Sequence, residues 1–515
     1  MKNLSLKEIL FLFALGSISS LSLSPYNFFI INFFTFSLFF SFLFKKLNER
    51  IDKKVYFFYG WIFGFAYFLT NLYWITISLT FEDQFSFLIP FALILVPFFL
   101  AIFYGLVTLA FVLLKPKNII SSFFLFSLLF GLMEFIRGNV FTGFPWNLIV
   151  YSFSEKINFL SVLSLIGTYS LNLIALSFFT VPALYVLRKS KKEIAICIFF
   201  LILPIFFLIF GNHKNQTFLK KDLIQLPHSI RIIGSNINLD RFYDDQAQQN
   251  IIEELIKVSS PDLRKKTFFL WPEAIIPNTY ISGLSLYKNI FAKNFNDNHL
   301  IALGITNMEV INNEHKYYNS FSVFDHNLNL LNNYNKINLV PFGEFLPFEN
   351  ILNQLGLKTI TNNFGSFSKG KKRKIINLKD MLNIDLSFLP LICYEIIYSG
   401  NITDKNNFDF IINISEDGWF GKSIGPKQHF DHSIFRAIET GKYVIRSSNN
   451  GMAAIINPMG QVEKKLDYGV SGYIDLENKR DTSVTLFSTY GNKIFLIIIF
   501  LYIFLTFSFN RIKNE

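Results

Sequence analysis

Long apolar runs fill the first two fifths of the chain and return once at its end, whereas the stretch between them breaks into short apolar segments separated by polar turns. Eight of the long runs, near 7–24, 27–45, 55–80, 86–114, 119–136, 158–187, 193–211 and 493–510, can cross a bilayer core of about 30 Å as helices. The pattern predicts a polytopic α-helical membrane domain of seven spans over 1–211 and a water-facing domain over 212–492. An eighth span and short tail follow over 493–515. The first run continues into SLSLSPYN, a Pro-Tyr turn with another apolar run directly after it and no small-residue cleavage pattern, so it is expected to remain as a span.

Between 212 and 492 the short runs have the length of buried strands: SIRIIGSNI, TFFLWPE, LIALGIT, YYNSFSVFD, LSFLPLIC, FDFIINIS, KYVIRSS and MAAIINP. DDQAQQNIIEELIKVSS and QHFDHSIFRAIETGK are amphipathic and are expected to be helices. Strands alternating with helices over this length predict an α/β domain with a largely buried sheet. The cluster SKGKKRK at 368–374 is expected to be a solvated loop.

Composition agrees with a membrane protein: 51% of the 515 residues are hydrophobic, and the mean hydropathy is +0.36. The net charge of +11 is set largely by where Lys and Arg stand relative to the spans. With the N-terminus inside, the inner segments hold fifteen: Lys2, Lys7, Lys45, Lys46, Arg50, Lys53, Lys54, Lys115, Lys117, Arg188, Lys189, Lys191, Lys192, Arg511 and Lys513. The short outer loops hold two, Arg137 and Lys156. This bias predicts that 212–492 lies outside the cytoplasm. It also accounts for the basic charge without a nucleic-acid partner, since no basic and aromatic stripe is present. Glu134 and Arg137, three apart on the fifth span, share a helix face and are expected to pair, with a structural role in holding the FTGFPWN loop. Trp74, Tyr73 and Trp146 are expected as interfacial aromatics.

Two cysteines give no disulfide framework and no thiolate metal site. Cys197 lies in an apolar run and is expected to be a small hydrophobe. Cys393 ends the run LSFLPLIC in the polar block, where a strand end can aim a thiol into a cleft. Glu273, after TFFLWP, stands at another strand end, where a carboxylate with a raised pKa can take the thiol proton. Lys336, in YNKINLVPFGE, can supply a cation to the oxygen of a tetrahedral intermediate. Glu344, eight residues on, can hold that ammonium or position the base.

The ordered Glu, Lys, Cys set resembles the nitrilase (carbon–nitrogen hydrolase) superfamily, and the flanking spans narrow the resemblance to apolipoprotein N-acyltransferases. It covers essentially the whole chain: SLSPYN, MEFIRGNVFTGFPWNLIVYS, WPEAIIPN, YYNSFSVFD, YNKINLVPFGEFLPFE, CYE, EDGWFG, GPKQH, RAIETGKYVIRSSNNG and FSTYGN follow in order. There are two departures. IIGSNIN stands where the family usually has Gln-Gly-Asn, and Glu416 where Asn is common. The resemblance implies an αββα sandwich with nucleophile Cys393, base Glu273 and oxyanion-stabilising Lys336. It implies supporting carboxylates Glu344 and Glu395, with Trp271, Tyr394 and Trp146 near the substrate. It further implies a phospholipid acyl donor, a diacylated apolipoprotein acceptor, no metal or organic cofactor, a monomer, and a bacterial inner-membrane enzyme with a periplasmic catalytic domain. The triad by itself also suits a membrane-tethered amidase acting on small amides, because water as well as an amine can attack a thioester.

Overall fold

The computed structural model describes residues 4–47, 49, 51–242, 248–347, 349, 366–400, 402 and 407–511. The start of the predicted helix at 244–247, Lys2, Arg50 and the tail from 512 lie outside them. Helices α1 Leu6–Ser19, α2 Ile31–Lys46, α3 Lys53–Leu72, α4 Ile89–Leu114, α5 Ile119–Asn139, α6 Leu163–Val186 and α7 Lys191–Leu219 build the N-terminal part. Capping boxes begin α1 (Ser5 with Glu8), α5 (Asn118 with Ser121) and α7 (Ser190 with Glu193), each satisfying backbone N–H groups that the first turn leaves open.

Among the described residues, six helical stretches are long and apolar enough to cross a membrane: Lys53–Thr80, Asp83–Leu114, Ile119–Asn139, Leu163–Val186, Lys191–Leu219 and Lys493–Arg511. The first two predicted spans form shorter helices, 14 residues in α1 and 16 in α2, because the Ser-rich and Pro-containing segment between them is taken up by turns. The predicted span at 158–187 is also broken. Its helix starts at Leu163 and bends at Gly167, whose φ of 74° and ψ of 173° are not helical. A Cβ there would lie 2.0 Å from the Phe487 ring, so the bend needs glycine for space as well as backbone freedom. The seventh apolar run continues as helix past 211 to Leu219 and leads directly into the first strand.

Among the described residues, twelve strands follow. They are β1 Leu223–Ser235, β2 Thr267–Leu270, β3 His299–Ile311, β4 Glu314–Asp325, β5 Leu330–Asn335, β6 Ile376–Asn377, β7 Ser387–Ile392, β8 Phe410–Glu416, β9 Tyr443–Asn449, β10 Ala453–Ile456, β11 Val462–Leu466 and β12 Gly472–Arg480. Hydrogen bonding orders them β12-β1-β2-β3-β4-β5 in one leaf and β11-β10-β9-β8-β7-β6 in the other, joined where Gly234 and Ser235 pair with Ser448 and Asn449. Strand alternation sends Ile230, Phe268, Leu270 and Ala302 from one leaf, and Phe410, Ile412, Ile414 and Ile445 from the other, into a single shared core. The opposite faces are covered by helices. Helix α8, Gln248–Ser259, packs Ile252 and Leu255 over Phe269 and Ile301 of the first leaf. Helix α9, Gly425–Thr440, sets Phe430, Ile434 and Ile438 in one core with Leu391, Ile411 and Val444 of the second leaf and with the membrane helices. The result is four layers, helix, sheet, sheet, helix. Helix α10, Lys493–Arg511, then returns along α5, where Asn118 donates to the Phe509 carbonyl.

All eight predicted strand segments contain strands. The four additional ones, β5, β6, β11 and β12, are mostly polar or only half-buried edge segments that lack a continuous apolar run.

Candidate active site

Each candidate side chain leaves a strand end or the segment after it. Cys393 follows β7 directly and has φ +47°, the left-handed region that a residue with a Cβ rarely occupies. Its carbonyl accepts from Asn413 Nδ2 (3.4 Å) and faces His429 Nε2 at 3.3 Å, so the turn is held from behind. Glu273 lies three residues past β2, just before Ala274 at φ +44°. Gly304 of β3 packs against it so closely that a Cβ would meet the Glu273 Cα at 2.5 Å. Lys336 follows β5, and Glu344 stands in the turn after it.

These groups meet in a buried cluster. Lys336 Nζ donates to Glu273 Oε1 (3.1 Å) and Glu344 Oε1 (2.9 Å), and Asn319 Nδ2 donates to the same two oxygens at 2.7 Å each. The second oxygen of each carboxylate takes a backbone N–H: Glu416 donates to Glu273 Oε2 (3.0 Å) and Val340 to Glu344 Oε2 (2.8 Å). Burial opposes the Lys336 ammonium, yet Glu273, Glu344 and Cys393 together hold it well above its usual range. Burial likewise pushes the Glu344 carboxyl up, against the pull of Lys336. The Cys393 thiol is driven well above its ordinary value by burial and then by the Glu273 charge, with Lys336 working the other way. Such a thiol rests protonated, and a base beside it must accept its proton before it can attack.

Glu395 ties the Cys393 turn to the lysine loop. It accepts from the backbone N–H groups of Ile392 (2.9 Å), Ile337 (2.8 Å) and Asn338 (3.1 Å), from the Tyr334 hydroxyl (2.8 Å) and from Arg373 (2.6 Å). Arg373 corrects the expectation of a solvated loop at 368–374. It reaches inward to Glu395 and Asn338, and Gly370 donates its N–H to the Lys336 carbonyl (2.8 Å); the lysines at 369, 371, 372 and 374 do face outward. Asn319 was not singled out from sequence. Its signal is an amide in a fully buried strand stretch, Tyr318–Phe324, which a strand tolerates only when the amide has partners.

The three aromatic residues have different surroundings. Tyr394 donates its hydroxyl to the Gly143 carbonyl (2.9 Å), and Tyr398 donates to Thr142 O (2.8 Å), so the nucleophile turn grips the loop after α5. Trp146, from that loop, stacks on His429 at 5.3 Å and packs against Trp74 and Phe420, buried in an aromatic cluster. Trp74 is buried with it, not spread at an interface, while Tyr73 is exposed. Trp271 does not wall the site. It continues the outward-facing parity of Phe269, packs on Phe291 and donates to Ser259 Oγ (2.9 Å) in the outer helix layer. Glu134 and Arg137 do pair, both buried, with Tyr104 donating to Glu134 Oε1 (2.5 Å) and Arg137 donating to the Phe144 carbonyl. Cys197 is buried in the membrane-side core.

The sequence matches two family models: the apolipoprotein N-acyltransferase N-terminal domain over residues 15–181, and carbon-nitrogen hydrolase over residues 265–482. Among curated proteins, apolipoprotein N-acyltransferase from Rickettsia prowazekii is 33% identical, covering 97% of this chain and 98% of the relative. The enzyme of that name from Agrobacterium fabrum is 31% identical over 97% and 96%, and that from Rhizobium leguminosarum bv. trifolii 32% over 91% and 89%. With both domains matched in order and relatives aligned along nearly their whole length, the chain belongs to the apolipoprotein N-acyltransferase family.

Proposed function

We propose that this chain is a membrane acyltransferase that moves a fatty acyl group from a phospholipid to the N-terminal amine of a diacylglyceryl-cysteine on an apolipoprotein, through a thioester on Cys393. The observation that carries the reading is a buried carboxylate–lysine–carboxylate cluster next to a strand-end cysteine whose turn is hydrogen-bonded to a membrane-domain loop. In the first half-reaction Glu273 takes the Cys393 proton and the thiolate adds to the ester carbonyl. An ammonium has three N–H donors. Two of those on Lys336 go to Glu273 and Glu344, and the third serves the oxyanion. Collapse of the tetrahedral adduct breaks the ester C–O bond, and Glu273 returns its proton to the departing lysophospholipid oxygen. In the second half-reaction the acceptor amine adds to the thioester, Glu273 takes a proton from nitrogen, and collapse forms the amide and releases the Cys393 thiolate, which is reprotonated. Glu344 and Glu395 hold Lys336 and its loop in place. Trp146 and Tyr394 serve the substrate region indirectly, by fixing the loop against which the nucleophile turn rests.

The placement follows from the same contacts. Loop 140–148 after α5 meets Tyr394 and Tyr398, Thr168 near the start of α6 meets Glu439, and Gly421 approaches Ile77. Together with the positive-inside bias, these contacts support eight spans, counting α1 and α2, with the 212–492 domain outside the cytoplasm, and the family resemblance extends this to a monomeric enzyme of a bacterial inner membrane with that domain periplasmic. Reporter fusions after Lys192 should read cytoplasmic and fusions after Asn212 extracytoplasmic; a cytoplasmic signal at Asn212 overturns the placement. For the chemistry, Cys393→Ala and Cys393→Ser should fold, insert and lose acyl transfer. Turnover retained in either variant removes Cys393 as the nucleophile.

A further inference from the structure

Glu273 is held by more than Lys336 and Asn319, and the rest of its support rests on a second buried ion pair. Arg241, which follows β1 in a short helical turn, and Glu416, the last residue of β8, form a salt bridge at 4% and 1% exposure. From there the contacts run to both sides of Glu273. The Glu416 backbone N–H donates to Glu273 Oε2 (3.0 Å), while Arg241 NH2 also reaches the carbonyl of Ala274, the next residue along, at 3.4 Å. Glu416 is itself immobilised. Its Oε1 accepts from the Gly418 N–H (2.8 Å) and its Oε2 from Asn449 Nδ2 (2.7 Å). Asn449 accepts in turn from Ser235 Oγ (2.6 Å) and the Ile237 N–H (2.9 Å), across the seam where the two leaves join.

We infer that Arg241 and Glu416 are positioning residues for the catalytic base: their ion pair fixes the orientation of the Glu273 carboxylate and, being neutral as a pair, adds no net charge beside it. Two physical arguments support this. An N–H held by a rigid strand end fixes which oxygen of Glu273 stays bound, so the thiol proton has one defined destination. A carboxylate at position 416 without a cation would place an uncompensated charge beside the base, and a cation without the carboxylate would do the reverse. Burial pushes the Glu416 carboxyl up, and the Arg241 guanidinium and Asn449 amide pull it back. The two residues are separated by 175 positions in the chain, so their pairing is a tertiary feature.

The test measures acyl-enzyme formation against pH with a phospholipid donor, using the full-length protein in detergent. Glu416→Gln leaves Arg241 as an extra cation facing a base already surrounded by Lys336, Glu344 and Cys393. The acidic limb of the rate profile should then move to lower pH, by roughly half to one unit. Arg241→Met should slow acylation, and Arg241→Lys, which keeps the charge, should recover most of it. The double variant Arg241→Met/Glu416→Gln should restore the wild-type limb, because it removes both charges together, and should stay slow, because the pair that orients the base is gone. A limb that stays in place in Glu416→Gln, or a double variant whose limb stays displaced or whose acylation is as fast as wild type, overturns the inference. The inference rests on the acyl-transfer reading, and the two fail differently. If the wild-type protein forms no acyl-enzyme, that reading falls; if it does and the limb does not move, only the positioning role falls.

Discussion

Two buried charge clusters, one in each half of the molecule, differ in their balance. In the membrane domain Arg137 faces one carboxylate, Glu134, with Tyr104 donating to that carboxylate and the Phe144 carbonyl taking another guanidinium hydrogen. In the α/β domain Lys336 faces two carboxylates, Glu273 and Glu344, with the Cys393 thiol beside them. The one-to-one cluster sets each charge against its opposite. The two-to-one cluster carries an excess carboxylate in a site that burial makes costly for charge, and such a group is inclined to accept a proton. The balanced pair holds a loop through the Phe144 carbonyl, and the unbalanced one is the cluster to which the proposed function assigns the chemistry.

The largest effect expected from this comparison is in the unbalanced cluster. Glu273→Gln should cut thioester formation by roughly 10²–10⁴-fold without unfolding the protein. Acyl-enzyme accumulating at the normal rate in that variant would show that imbalance is not what makes the cluster reactive. In the balanced cluster the expected loss is of stability. Arg137→Met alone leaves Glu134 buried without its cation and should cost roughly 3–5 kcal/mol, read as a lowered melting temperature in detergent. Arg137→Met/Glu134→Gln should regain most of that stability and retain acyl transfer. A stable double variant without activity would break the distinction between the two clusters.

The grouping of the two-carboxylate cluster was legible in sequence. Glu273, Lys336 and Cys393 stand after apolar runs that read as strands, and all three meet or neighbour one another in the fold. What the sequence withheld was long-range pairing. Nothing local marks Arg373 as the partner of Glu395, Arg241 as the partner of Glu416, or Glu439 as the acceptor for the Thr168 N–H and hydroxyl at the bend of α6. A freed backbone N–H at membrane depth is tolerated only if something satisfies it, and here a carboxylate from the α/β domain does so. Trp271 was misplaced for a simpler reason. The resemblance puts it near the substrate, but its ring lies on the other side of the leaf.

Smaller effects sharpen the link between the halves. Tyr394→Phe removes the hydroxyl that donates to the Gly143 carbonyl and should cost about 1 kcal/mol, with slower acylation as the nucleophile turn loosens. Acylation unchanged at equal stability would detach that loop from catalysis. The smallest effect is on acid stability. Burial holds His429 and His432 below their usual range, so the unfolded chain takes up protons near pH 6.5 that the folded chain refuses. Stability present above about pH 6.5 should therefore be lost progressively as pH falls below it. A melting temperature that is flat or rises on acidification from pH 7 to 5 would contradict the buried, neutral histidines behind Cys393.

The central claim is that this site makes a thioester kept for an amine and not for water. Its most direct test is intact-mass spectrometry of the wild-type protein in detergent with phospholipid alone, followed by addition of a diacylated lipopeptide with a free N-terminal amine. A fatty-acyl adduct on Cys393 that persists without the lipopeptide and disappears when it is added, with the acyl group recovered as an amide, is the predicted result. Free fatty acid released as fast as the adduct forms, with no effect of the lipopeptide, would contradict the account and assign the site to hydrolysis.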